Sequence, residues 1–139
     1  MKVKIRKLHE RAVIPTYATD GSGAFDLTAI SKQGQVYGTG LAFELPKGYH
    51  MLVLPRSGLA FNDDIRIANC VPFIDNDYRG EVKIKLTYDG HPSSAPFWPH
   101  VGERIAQAVI LKIPQAEFEE VEELSETQRG VNGFGSSGK

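Results

Sequence analysis

Cysteine is almost missing from this chain: Cys70 stands alone, so no intrachain disulfide can form, and a reducing compartment suits it. Four scattered histidines, His9, His50, His91 and His100, offer no zinc-ligand spacing with that thiol. An excess of basic charge is lacking too. Sixteen Lys+Arg stand against 17 Asp+Glu, a formal net charge of -1, so the overall positive field that supplies non-specific nucleic-acid affinity is not there. An anionic ligand must be held by a local cluster, and direct nucleic-acid binding is not expected. No apolar run approaches the ~20 residues that span a bilayer, and the opening MKVKIRKL is too charged for a secretory signal. The expectation is a cytoplasmic chain without membrane contact. Extended helical periodicity is the last absence, and it speaks against a helix bundle or a Rossmann-type βαβ unit.

What is present is enough for one compact domain. The 139 residues are too few for two ordinary domains, and 41% hydrophobic against 24% charged residues is a folding composition rather than a disordered one. Short runs of Val, Ile, Leu and aromatics alternate with Gly, Pro, Asn and Asp clusters, which predicts an all-β fold. The expected strands are Val3 to Lys7, Phe25 to Ala29, Gly40 to Phe43, Tyr49 to Leu54, Ile65 to Asn69, Glu81 to Tyr88 and Arg104 to Ile113. Within the sixth, EVKIKL alternates polar and apolar, as a strand with one wet face does. At most one short helix is expected, at Gly58 to Asn62. The stretch Asp89 to His100, with three prolines, reads as a surface loop.

The C-terminal region divides in two. In the acidic run Glu117 to Glu126, Phe118, Val121 and Leu124 are spaced by three, which fits a short amphipathic turn of helix or an extended edge segment. The simplest reading is a solvated face anchored by three apolar contacts. Residues 129 to 139 are Gly- and Ser-rich with one aromatic, so this tail is either disordered or an arm ordered by ligand. Gly133 to Lys139 spells G-x-x-x-x-G-K, but a phosphate-cradling P-loop needs a strand before it and a helix after it. Glycines that admit an anion to the backbone, and donors from Arg129, Ser136, Ser137 and Lys139, remain.

Three further elements carry possible chemistry. In PRSGLA, Arg56 can neutralise a phosphate, Ser57 can donate its hydroxyl and Gly58 admits close backbone contact; an ordinary strand-ending turn would look the same. IDNDYRGE, Ile74 to Glu81, sets two carboxylates two residues apart in what residue type alone calls a β-turn. It is no calcium loop, because Arg79 and Leu86 fall where oxygen ligands belong. Asp75, between Ile74 and Tyr78, is placed to orient or deprotonate a water. GERIAQ, Gly102 to Gln107, is a turn entering a strand that bears an amide.

Together with GSGAFDL at Gly21 to Leu27, these elements occur in an order that resembles the five motifs of the homotrimeric dUTPase family, over nearly the whole chain. The resemblance implies a jelly-roll-like dUTPase (β-clip) fold over residues 1–126 and a flexible arm, residues 127–139, that closes a neighbouring subunit's active site. It implies hydrolysis of dUTP to dUMP and pyrophosphate with Mg²⁺, which limits uracil incorporation into DNA and supplies dUMP for dTMP synthesis. It also implies a homotrimer whose sites are shared between subunits.

Carried onto this sequence, the resemblance makes Asp75 the carboxylate that activates water for attack on the α-phosphate, and Tyr78 the ring beneath the sugar that leaves no room for a 2′-OH. Asn69, the backbone from Phe73 through Ile74 to Asp75, and the neighbourhood of Lys83 line a uracil slot. Arg56, Ser57, Gly58 and Gln107 hold the phosphates. From the arm, Arg129 reaches the γ-phosphate as a second catalytic group, Phe134 covers the uracil, and Gly135, Ser136 and Ser137 complete the cradle. Asp26 joins the metal neighbourhood through a water. The pattern departs from the family at Pro72, where Gly is common, and at Val131 and Asn132. The related dCTP deaminases share the fold, but IDNDYRGE and the GFGSSG arm favour the dUTPase reading.

Overall fold

A computed structural model describes residues 1–91, 93 and 96–133. Its described elements are ten strands and one seven-residue helix, as the all-β reading requires. They are β1 (Lys4–Lys7), β2 (Phe25–Thr28), β3 (Ser31–Gln33), β4 (Val36–Gly38), β5 (Leu41–Glu44), β6 (Tyr49–Leu54), α1 (Ser57–Asp63), β7 (Ile65–Ile67), β8 (Phe73–Ile74), β9 (Lys83–Tyr88) and β10 (Arg104–Lys112). The seven expected strands are all present with ends shifted by no more than two residues, whereas β3, β4 and β8 were not foreseen. These three are only two or three residues long, and β3 is exposed throughout, so no apolar alternation marks them.

Two four-stranded sheets, ordered β2-β10-β6-β8 and β3-β4-β9-β7, and a two-stranded ribbon β1-β5 surround one core. Every pairing is antiparallel. Leu27, Met51, Val53, Ile67, Ile84, Leu86 and Ile105 are each at most 1% exposed, so the core draws on both large sheets. In β9 the alternation holds: Ile84 and Leu86 point inward while Lys83 and Lys85 face solvent. Two buried hydroxyls are bonded to backbone carbonyls. The Thr39 hydroxyl donates to the Val82 carbonyl at 2.8 Å, and the Tyr37 hydroxyl to the Pro99 carbonyl at 3.0 Å, which fastens the 89–100 loop to the sheet.

The acidic run behaves differently from its simplest reading. Residues 117–126 form neither helix nor strand, and Phe118 and Leu124 are 94% and 86% exposed. Three-residue spacing was a poor guide here because neither side chain is buried by the described residues. Among the described residues no helix is long and apolar enough to cross a membrane.

Gly40 joins β4 to β5 with φ +66, and a Cβ there would stand 2.5 Å from Ile30 Cδ1 and 3.1 Å from Ala12 Cβ. Both the backbone conformation and the space demand glycine. Gly40→Ala should lower the unfolding free energy by about 1–3 kcal/mol, read from urea melts at fixed protein concentration; an unshifted midpoint would show that the loop relaxes freely.

Candidate active site

The segment after β8 folds back on itself and builds a cleft. Asn and Asp favour the turn, in which the Tyr78 N–H donates to the Asp75 carbonyl at 3.2 Å and the Arg79 guanidinium to the Asn76 carbonyl at 2.6 Å. Gly80 is required because the Tyr78 ring occupies the space a side chain would take. The ring thereby reaches forward, and its hydroxyl donates to the Glu81 carbonyl at 3.2 Å. Between this turn and the start of β9 lies a cleft of about 240 Å³ lined by Phe73, Ile74, Asp75, Tyr78 and Lys83, with Glu81 and Val82. Five residues chosen from sequence thus share one cavity. Glu81 braces it, accepting the Gly40 N–H at 2.8 Å on one oxygen and facing Lys83 Nζ at 3.4 Å with the other.

The Asp75 side chain is 64% exposed and open to water. Behind it, on β6, sits His50, only 8% exposed, with Nδ1 3.5 Å from Asp75 Oδ1 and its ring 5.0 Å from that of Phe73. Pro72, which lacks an N–H, still contributes its carbonyl, accepting from the Val53 N–H at 3.0 Å.

A second cluster gathers at the other end of β6. In register, Gln107 of β10 lies between Leu54 of β6 and Asp26 of β2. Arg104 and Gln107 are three apart, a spacing that puts side chains on opposite faces of a regular strand. A bulge between Arg104 and Ala106 changes the parity, and Arg104 pairs with Thr28, on the same face as Asp26. Asp26 then pairs with two arginines: Arg56 Nε lies 3.1 Å from one carboxylate oxygen as an ion pair, and an Arg104 guanidinium nitrogen donates to the other at 2.9 Å. Arg56 also donates to the Arg104 carbonyl at 3.0 Å, and the Gln107 amide to the Pro55 carbonyl at 2.9 Å. The first two residues of PRSGLA, Pro55 and Arg56, are therefore pinned before α1 begins, with Arg56 just outside the helix and Ser57 and Gly58 in its first turn. Arg56, Gly58 and Arg104 line a cleft of about 390 Å³, closed on the far side by Phe97 and Pro99.

Other expected residues stand apart. Asn69 lies exposed in the turn after β7 and outside the β8–β9 cleft. Arg129 donates to the Asn132 carbonyl at 2.8 Å within its own turn. Phe134, Gly135, Ser136 and Ser137 lie outside the described residues. Among the described residues no group of three or more His, Cys, Asp or Glu converges as a metal cage. That fits Mg²⁺, which binds mainly through substrate phosphates and keeps several waters. Sequence reasoning missed Arg104, Glu81 and His50. Arg104 had a signal, its place inside GERIAQ; His50 and Glu81 depend on contacts between segments distant in sequence.

The family model described as dUTPase matches residues 10–138 of the chain. The chain is 50% identical to the deoxyuridine 5'-triphosphate nucleotidohydrolase of Nautilia profundicola, over all of both chains. It is 46% identical to that of Helicobacter hepaticus, over 99% of this chain and 89% of the other. A solved Staphylococcus bacteriophage 80alpha dUTPase mutant with dUpNHpp superposes with a TM-score of 0.85 at 25% identity, over 99% of each chain.

Asp26→Ala leaves the half-buried Arg56 and the exposed Arg104 without their shared carboxylate. It should destabilise the fold by roughly 1–3 kcal/mol, measured by denaturant unfolding; unchanged stability would mean that water serves Arg56 and Arg104 equally well.

Proposed function

The chain belongs to the dUTPase family, and we propose that it is a dUTP diphosphatase in which Asp75 activates the attacking water. The observation that carries this reading is the cleft shared by Phe73, Ile74, Asp75, Tyr78 and Lys83. A nucleoside fits such a slot with its base against the backbone at Phe73 to Asp75 and near Lys83, and its sugar over the Tyr78 ring. Cytosine presents a donor where uracil presents an acceptor, and each buried mismatch costs about 1–3 kcal/mol.

The reaction is in-line displacement at the α-phosphorus. Asp75 takes a proton from water as the new P–O bond forms, and the bond to the β-phosphate bridging oxygen breaks, releasing dUMP and pyrophosphate. Phosphorus ringed by anionic oxygens repels a nucleophile, so charge must be neutralised before attack. Arg56, held by Asp26, with Ser57, Gly58 and Gln107, is assigned to the phosphates. Mg²⁺, when bound with the substrate, supplies further neutralisation; Asp26 would meet it through a water.

One chain does not bring the two clusters together. Asp75 lies beside His50 and Arg56 follows the far end of β6, a separation of six residues, or roughly 20 Å of extended chain. This supports a site in which one subunit supplies the Asp75 cleft and another the Arg56 cluster, as in a homotrimer. The exposed Phe118 and Leu124 support docking of the C-terminal segment on a neighbour rather than on its own domain. Residues 127–139 would then bring Arg129 to the γ-phosphate, Phe134 over the uracil, and Gly135, Ser136 and Ser137 round the phosphates.

The test is pyrophosphate release from dUTP, UTP, dCTP and dTTP with Mg²⁺. Release from dUTP alone is expected; equal release from UTP or dTTP would overturn the selectivity assigned to the Asp75 cleft. Asp75→Asn should keep nucleotide affinity and lose turnover, and a variant that lost affinity but kept its rate would remove the base assignment. Truncation after Glu126 should leave an intact oligomer with turnover reduced about 10³- to 10⁵-fold. Full activity in the truncated protein would take the arm out of the mechanism.

A further inference from the structure

We propose that His50 is a positioning residue for Asp75: its Nδ1–H donates to Oδ1 of Asp75 in the substrate complex and leaves the other carboxylate oxygen facing the water. This rests on the reading of Asp75 as the group that activates water.

The side chain is placed where a chain gains nothing from an imidazole unless it is used. His50, on β6 between β10 and β8, is 8% exposed, with the Phe73 ring packed against it. Its partner in register on β10 is Leu111, which offers no side-chain acceptor. Nδ1 is a buried side-chain atom with no hydrogen-bond partner among the described residues. Buried polar groups seldom stay unpaired, and the acidic oxygen facing it is Asp75 Oδ1 at 3.5 Å.

That separation is too long for a good hydrogen bond, which has its donor and acceptor about 2.7–3.2 Å apart. Catalytic hydrogen bonds are commonly long before substrate binds and tighten in the complex. The Phe73 ring packs on His50 at 5.0 Å and also lines the nucleotide cleft, so a ligand filling the cleft bears on both residues of the pair. Asp75 needs such a hold: its side chain is 64% exposed, and no hydrogen bond fixes its carboxylate among the described residues. A neutral imidazole donating from Nδ1 selects one rotamer of the carboxylate without neutralising its charge.

Asn carries its amide nitrogen two bonds from Cβ, where histidine carries Nδ1, whereas Leu fills space without a donor. With dUTP and Mg²⁺, His50→Leu should lower kcat between roughly tenfold and a hundredfold, the range a misplaced reacting group produces, and leave KM within about twofold. His50→Asn should recover most of that loss. In an Asp75→Asn background, His50→Leu should remove no further activity, because nothing remains to be positioned.

Equal kcat for His50→Leu and the wild type would overturn the proposal. So would equal losses in His50→Leu and His50→Asn, which would mark a packing role, or an undiminished effect of His50→Leu on the residual rate of Asp75→Asn. Melting temperatures of all variants identify any that lose activity by unfolding, and His50→Gln then provides a second donor-bearing replacement. An Asp75→Asn enzyme with wild-type kcat would overturn the base assignment itself, an outcome distinct from failure at His50.

Discussion

Strand β6 is the constraint on which the proposed site depends. It is hydrogen-bonded along both edges, to β10 and to β8, and so cannot shift register without flipping the core residues Met51 and Val53. At its first end it sets His50 beside Asp75; past its last residue it delivers Arg56 to Asp26. The same pairing that fixes each cluster also keeps them apart. A rigid strand makes the Asp75 cleft and the arginine cluster accurate within themselves, and in the proposed shared site their meeting falls to a second copy of the chain.

Charge is handled locally because the chain has no surplus of it. Asp26 holds Arg56 and Arg104 on one carboxylate, so the arginine proposed for the phosphates is aligned before any substrate arrives. Such preorganisation is worth most where charge develops during reaction. The bulge in β10 makes this possible by turning Arg104 to the face of Asp26, an example of an irregularity placed next to a functional cluster. The cleft at Asp75 has a different character: it is built from a turn whose backbone is proposed to face the base, with the Tyr78 ring and the Glu81 carboxylate as its supports.

Much of the fold was legible because its longer strands announce themselves by alternation and its turns by Gly, Asn and Asp. PRSGLA and IDNDYRGE were legible as a site for another reason, the order of motifs that resembles the dUTPase family. What residue patterns could not carry were effects of distance in sequence. β8 is two residues long and exists because β6 templates it. The meeting of His50 with Asp75, and of Arg104 with Asp26, joins residues 25 or more positions apart and leaves no local mark. The acidic segment misled for a related reason: Phe118 and Leu124 look like anchors, yet both are largely exposed among the described residues.

The central claim is that one site is built from separate subunits, and subunit complementation tests it most directly. Asp75→Asn and Arg56→Gln chains, each inactive alone, would be denatured together, refolded, and assayed for pyrophosphate release from dUTP. If the Asp75 cleft and Arg56 cluster of one site come from different chains of a trimer, random mixing should restore about a quarter of wild-type activity. Mixed trimers demonstrated by native mass spectrometry but devoid of activity would contradict the account.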